Sequence, residues 1–140
     1  GITQKERALI YVKRLHSFLN SDIPFKKTGI AHLTCSLIDN SEKFAHIDVA
    51  DMVSDNEFYE IFGGVAACGA GVELNIYTDW YDADQLKRVF RPYIIAKDCG
   101  CKFYLGSDSH HGTNLKNAPA KLNGILQYFP LEDKDRFTVK

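Results

Sequence analysis

The chain has 140 residues, of which 45% are hydrophobic and 25% charged, and its formal net charge is -1 at pH 7. This length supports one hydrophobic core and therefore a single domain or part of one. The charge argues against nucleic acid as a partner. No stretch approaches the roughly 20 apolar residues that a membrane span needs, and no cleavable signal follows Gly1, so we expect a soluble, cytoplasmic protein without a membrane partner.

The four cysteines are Cys35, Cys68, Cys99 and Cys101, and their spacing is not that of a disulfide framework. We therefore expect reduced thiols. Cys99-Gly100-Cys101 offers two ligands for a soft metal, which is a weak signal for a metal site.

The first predicted element is an amphipathic helix over residues 4–20. Thr3 and Glu6 have the spacing of a capping box, and Asn20 begins the polar segment that ends the helix. The apolar residues at helical spacing are Ala8, Leu9, Val12, Leu15 and Leu19. A short, partly β-branched stretch over residues 28–35 then predicts a buried strand that contains His32.

A second helix is predicted from Ser54, which has Glu57 three residues later, up to a natural stop at Gly69. Residues 36–48 before it are polar and irregular, and His46 fits a loop or a helix start. Two glycines inside the helix, Gly63 and Gly64, favour close packing against a neighbouring element.

The next strand is predicted over residues 71–77, where apolar and polar residues alternate. The apolar side holds Val72, Leu74 and Ile76, and the polar side holds Glu73 and Asn75. This strand therefore presents a carboxylate on one face.

The following helix starts near Asp82, and Gly100 follows its end. Its predicted apolar stripe consists of Leu86, Val89, Phe90, Tyr93 and Ile94, and Pro92 predicts a kink or a break just before it. A last helix is predicted over residues 114–129, broken or restarted near Pro119, with one more turn over residues 131–137.

Residues 101–111 are the stretch with the clearest chemical signal. An apolar and aromatic run stops at Gly106 and is followed by Asp108 and His110. If the run is a strand, alternation places both side chains on one side, where they can bind one metal ion. By the same alternation His111 points to the opposite side. The alternative is an ordinary turn with a helix cap.

Strands that alternate with helices predict parallel β/α units, and hence an open sheet or a barrel. In both architectures function gathers where the strands end. His32, the Glu73–Asn75 pair and the Asp108–His110 pair each lie near such an end. His32 alone fits a satisfied core residue as well as a ligand.

Three segments resemble the C-terminal half of the PHP superfamily, the polymerase and histidinol phosphatase domains. They are Gly71-Val72-Glu73-Leu74-Asn75, residues 96–103 and, above all, Gly106-Ser107-Asp108-Ser109-His110. The resemblance spans residues 29–129. It implies an α/β fold of parallel β/α units, part of a distorted (β/α)7 TIM-like barrel. Such a barrel hydrolyses phosphoesters with two or three divalent metal ions at the strand ends.

Carried over residue by residue, the resemblance implies metal ligands at Asp108, His110 and His32, with Glu73 as a candidate ligand. Contacts to phosphate or substrate would come from Ser107, Asn75 and His111. Histidine and carboxylate ligands suit Zn, Mn or Fe, and bridging ions of this kind deliver a hydroxide to phosphorus.

The opening signature of the family, a His-x-His strand followed by Ser-Asp-Gly, is absent. We therefore expect residues 1–140 to form one partial β/α domain, the C-terminal half of the barrel without its N-terminal metal-binding strands. Such a half barrel should have an incomplete metal site and be inactive alone. It should also form a homodimer, or join its missing half, through exposed strand edges.

Three functions stay open at this point. The first is a metal-dependent phosphoesterase, a phosphatase-like hydrolase of a small phosphorylated substrate. The second is a PHP-type domain of a DNA polymerase, acting as a nuclease or as a structural module. The third is a non-enzymatic interaction domain that has kept the fold and lost the site.

Overall fold

The computed structural model describes residues 3–22, 29–30, 45–74, 76–105 and 118–137. The helices in these ranges are α1 (Gln4–Leu19), α2 (Ala45–Asp51), α3 (Asp55–Cys68), α4 (Ala83–Asp98) and α5 (Ala118–Tyr128). The strands are β1 (Gly29–Ile30), β2 (Gly71–Leu74) and β3 (Lys102–Leu105), and two 3₁₀ helices span Thr78–Trp80 and Asp133–Asp135. No helix in this part of the chain has both the length and the apolar character that a membrane crossing requires.

The three strands form one parallel sheet in the order β1-β2-β3. Gly29 pairs with Gly71, and Gly71 pairs with Lys102. On the edge of β3 that faces away from β2, Phe103 forms a single parallel bridge with Arg136. There the Phe137 N–H donates to the Phe103 carbonyl at 2.7 Å. The end of the described chain therefore continues the sheet on the far side of β3.

One face of this sheet is apolar and belongs to the hydrophobic core. Val72, Leu74 and Phe103 are at most 2% exposed and cluster with buried residues of α3 and α4. Consecutive parallel strands joined by right-handed crossovers carry their helices on the same face. The core therefore lies between this apolar face and the helices.

The other face, which we call the polar face, consists of Gly71, Glu73, Lys102 and Tyr104. Phe137 lies directly over it, because a Cβ at Gly71 would come within 2.5 Å of the Phe137 ring. Gly71 and Phe137 lie on opposite sides of β3, and alternate strands of a flat sheet lie roughly 9.5 Å apart. A close contact between alternate strands across one face is typical of a sheet that curves toward that face.

The predicted helix starts are confirmed by their caps. Side chains of Thr3, Ser54 and Asp82 accept hydrogen bonds from the backbone N–H groups of Glu6, Glu57 and Gln85 at 3.1, 3.2 and 2.8 Å. In turn, the side-chain oxygen of Gln85 accepts a hydrogen bond from the Asp82 N–H at 2.9 Å. Each cap satisfies N–H groups that the helix leaves without partners, so the starts depend on local sequence.

The predicted apolar stripes are wrong at two residues, and the break that was one alternative at Pro92 is absent. Leu9 and Ile94 are 57% and 46% exposed, whereas Ile95 is 5% exposed and belongs to the core. α4 also runs without a break through Pro92. Pro92 and Tyr93 are buried, so packing on both sides of the proline offsets the hydrogen bond that it removes.

The glycine pair in α3 has two different roles. A Cβ at Gly64 would lie 2.9 Å from Leu19 of α1, whereas a Cβ at Gly63 would meet nothing within 4 Å. The predicted close approach is therefore confirmed at Gly64 and not at Gly63.

Two arginines of α4 contact α2 and the residues that follow it. Arg88 pairs with Asp48 at 2.7 Å, and Arg91 donates to the backbone carbonyls of Ala50 and Val53 at 2.8 and 2.7 Å. Since these carbonyls lie at the end of α2, Arg91 acts as a C-terminal cap supplied by another helix.

Candidate functional site

Glu73 is the one predicted site residue within the described ranges. The other six, His32, Asn75, Ser107, Asp108, His110 and His111, lie outside them. Their proposed roles therefore remain predictions from the sequence.

Glu73 lies on β2 between Val72 and Leu74, which are 0% and 2% exposed on the apolar face. The predicted alternation is confirmed, since Glu73 itself is half-buried on the polar face. Its register partner on β3 is Tyr104, which is also half-buried. The sheet therefore places a carboxylate and a phenol side by side on the polar face.

Burial raises the pKa of Tyr104 above its usual value of 10.0, and the charge of Glu73 raises it further. Tyr104 therefore stays a neutral phenol at physiological pH. A neutral phenol can donate a hydrogen bond, and the register places Tyr104 next to the strand position of Glu73.

Glu73 also offers the carboxylate oxygens that Zn, Mn and Fe accept as ligands. Within the described ranges, no group of three or more His, Cys, Asp and Glu side chains comes together that could hold a metal ion. Glu73 fits a divalent metal by its donor chemistry, as one ligand of a larger set.

Cys99 and Cys101 do not fit a metal site. Cys101 is 1% exposed and its thiol donates to the Phe62 carbonyl at 3.3 Å. Burial raises the pKa of Cys101 to about 12, with smaller contributions from Cys99 and Cys68. Metal binding needs the thiolate, so Cys101 is a core thiol. The three described cysteines are free, as predicted, and Cys35 lies outside the described ranges.

The loop that follows β2, residues 76–81, forms a surface that we call the β2 rim. The rings of Tyr77 and Trp80 stack with centroids 4.6 Å apart and planes 18° from parallel. Ile76 is 2% exposed and anchors the loop to the core. The rim thus follows the end of the strand that carries Glu73, which is where β/α folds place their binding loops.

His46 connects the β2 rim to α2. Its Nε2 lies 3.0 Å from the Tyr81 hydroxyl, and the two rings meet edge to face at 6.1 Å. His46 is 3% exposed in the first turn of α2, so of the two predicted alternatives, a loop or a helix start, the structure shows the helix start. The helix itself was not predicted, because residues 36–48 were assigned to an irregular segment. A buried histidine with a tyrosine partner has a structural role, namely to fix the rim against the helix.

Sequence reasoning missed Tyr104 and the rim aromatics Tyr77 and Trp80. Alternation within residues 101–105 places Tyr104 opposite Phe103, and this signal was available in the sequence. Its pairing with Glu73 depends on the register between two strands far apart in the chain. The rim signal was a group of aromatic residues directly after a predicted strand.

No family model matches this chain, and neither a curated protein nor a solved structure matches it. The relationship to the polymerase and histidinol phosphatase superfamily therefore rests on the sequence segments described above and is a proposal.

Proposed function

We propose that this chain contributes β/α units to a metal-dependent phosphoesterase of the PHP superfamily, with Glu73 facing the metal site. One observation carries the proposal: the carboxylate of Glu73 lies on the polar face of a parallel sheet whose opposite face packs in the core. In a β/α barrel the inward face of the strands leads to the active site, and the outward face packs against the helices.

The helix-covered face supports the barrel part of the proposal. β1, β2 and β3 are neighbours in chain order, which a barrel shares with each half of a doubly wound sheet. A doubly wound sheet, however, places helices on both faces. A barrel keeps one direction and one helix-covered face, and the contact of Phe137 with Gly71 supports curvature toward the other face.

The distorted (β/α)7 barrel would then be completed by further strands at the sheet edges. We propose that a homodimer, or other β/α units, supplies them, because exposed strand edges tend to find partners. We place the protein in the cytoplasm, which agrees with the free Cys68, Cys99 and Cys101.

Two or three divalent ions, Zn, Mn or Fe, would supply a hydroxide nucleophile and charge stabilisation for a small phosphorylated substrate. The chain's own part can be stated for two residues. Glu73 would bind or steady one ion through its carboxylate, and Tyr104 would hold that carboxylate in a fixed orientation. Removing a residue that holds a metal ligand in place typically lowers the metal affinity by about 10–100-fold.

The test is Mn²⁺ and Zn²⁺ binding by calorimetry to the chain together with the β/α units that complete the barrel, because the chain alone is expected to have an incomplete site. Hydrolysis of p-nitrophenyl phosphate is a second readout. We expect Asp108→Ala and His110→Ala to abolish binding and Glu73→Gln to weaken it by about tenfold. Glu60→Gln is the matched control, because Glu60 is an exposed carboxylate on α3, and it should change nothing.

Two outcomes would contradict the proposal. In the first, the chain binds neither metal even together with the β/α units that complete the barrel. In the second, Asp108→Ala and His110→Ala bind metal as well as the unaltered chain does. If only Glu73→Gln is without effect, the site stands and the role given to Glu73 is wrong.

A further inference from the structure

Trp80 is the single tryptophan of the chain and has the most exposed large apolar side chain in the described ranges, at 62%. Tyr77 stacks on the indole, so part of the ring is covered within the chain. The remaining surface is open to solvent. An aromatic ring of this size is usually buried or used in recognition, because it offers a large contact area.

Two hydrogen bonds fix the backbone of the rim. The backbone N–H of Trp80 donates to the Tyr77 carbonyl at 3.0 Å, and the backbone N–H of Tyr81 donates to the Thr78 carbonyl at 3.3 Å. Thr78 packs directly on Gly124 of α5, where a side chain would not fit. A ligand that binds the ring therefore meets a surface that is already ordered, which lowers the entropic cost of binding.

The charge around the ring selects the kind of ligand. Residues 76–84 contain Asp79, Asp82 and Asp84 and no Lys, Arg or His. The Asp82 carboxylate caps α4, whereas Asp79 and Asp84 are exposed, and Asp79 directly precedes Trp80 in the chain. A segment with this charge favours a cation over a phosphate, and an aromatic face favours a planar cation.

The chain already stacks cations on aromatic rings elsewhere. The Arg91 guanidinium lies 4.9 Å from the Phe58 centroid, and Lys97 Nζ lies 5.7 Å from the Phe129 centroid. No Lys or Arg in the described ranges lies over Trp80 in this way. Within the described ranges, the aromatic side chain with the largest exposed fraction thus has no such cation from its own chain.

We propose that the β2 rim binds an arginine side chain of a protein partner, with the guanidinium stacked on Trp80 and paired with Asp79. Arginine fits better than lysine, since the guanidinium is planar, more weakly hydrated and able to stack. The proposal rests on Trp80 and Asp79 and does not depend on the proposed phosphoesterase activity.

The fluorescence of Trp80 reports binding directly, because the chain has no other tryptophan. The probe is the peptide acetyl-Gly-Arg-Gly-amide, compared with the same peptide carrying citrulline, which has the same shape and no charge. We expect a saturable change with arginine, none with citrulline, and about fivefold weaker arginine binding in Asp79→Asn. Asp133→Asn is the control, because Asp133 is an exposed aspartate in the other 3₁₀ helix.

Three results would overturn the proposal: no saturable change with the arginine peptide, equal affinity for the citrulline peptide, or tighter binding of the neutral ring of adenosine. Equal losses in Asp79→Asn and Asp133→Asn would do so as well. Calorimetry on Trp80→Leu checks the same point without fluorescence, and circular dichroism confirms that the variant folds.

Discussion

The two faces of the sheet differ although they belong to the same strands. On the apolar face, Val72, Leu74 and Phe103 are almost completely buried in the core. On the polar face, Glu73 and Tyr104 are half-buried side by side. The strand period of two produces this difference. It places one set of side chains in the core and the other set on the polar face.

The two faces should respond to mutation in opposite ways. Substitutions on the apolar face should lower the free energy of unfolding, whereas those at Glu73 should change ligand binding with little effect on stability. The predictions below test this difference, from the largest expected effect to the smallest.

Phe103→Ala should lower the free energy of unfolding by about 3–5 kcal/mol, because the ring is 2% exposed and packs edge to face on Phe129 at 5.3 Å. Urea unfolding measures the change. Glu73→Gln is the comparison from the polar face and should stay within about 0.5 kcal/mol of the unaltered chain. Similar losses in both variants would contradict the division between the faces.

Gly71→Ala should cost about 1–3 kcal/mol, since the new methyl group would collide with the Phe137 ring over the polar face. Gly63→Ala is the matched control in open space within α3 and should stabilise the chain by about 0.5–1 kcal/mol.

The double variant Gly71→Ala/Phe137→Ala tests the cause of the Gly71 effect. If the collision is responsible, the alanine at position 71 should cost less when Phe137 is absent. An unchanged cost would mean that curvature of the sheet does not bring these residues together.

Removing the Glu73 charge by Glu73→Gln should lower the pKa of Tyr104, but not to its usual value of 10.0, because burial is the larger cause. The folded chain keeps this proton longer than the unfolded chain does. The stabilisation is therefore complete below pH 10.0 and is lost as the pH rises through the folded pKa. Ultraviolet absorbance titrations, corrected with Tyr104→Phe, measure the shift, and an unchanged Tyr104 pKa would contradict the pairing.

Cys101 should show no reaction with iodoacetamide at neutral pH, since its pKa is raised to about 12 and its side chain is 1% exposed. Mass spectrometry of peptides from the folded and the urea-unfolded chain measures the modification. Rapid modification in the folded state would mean that the core next to β3 opens easily.

The sequence was sufficient for features that depend on neighbouring residues. Thr3, Ser54 and Asp82 start their helices because a cap needs only a hydrogen bond three residues away. Gly69 and Gly100 take the left-handed backbone, with φ of 81° and 90°, which other residues rarely adopt. Alternation placed Glu73 opposite Val72 in the same way.

Burial around the helices was harder to predict, because it depends on what packs against each face. Helical spacing allows both Leu9 and Ala8 in the core, and contacts with the other helices select Ala8. The same applies to Ile95 over Ile94 in α4. Gly63 and Gly64 are equivalent in sequence, and the position of Leu19 distinguishes them.

For the candidate site, the sequence by itself determined that a carboxylate at position 73 lies on the polar side of a strand, since local alternation requires it. Only the tertiary structure decided that Tyr104 is its neighbour, that Phe137 covers Gly71, and that Trp80 is held exposed on Tyr77. The physical reason is range: caps and alternation arise within a few residues, whereas register and curvature arise from packing between distant segments.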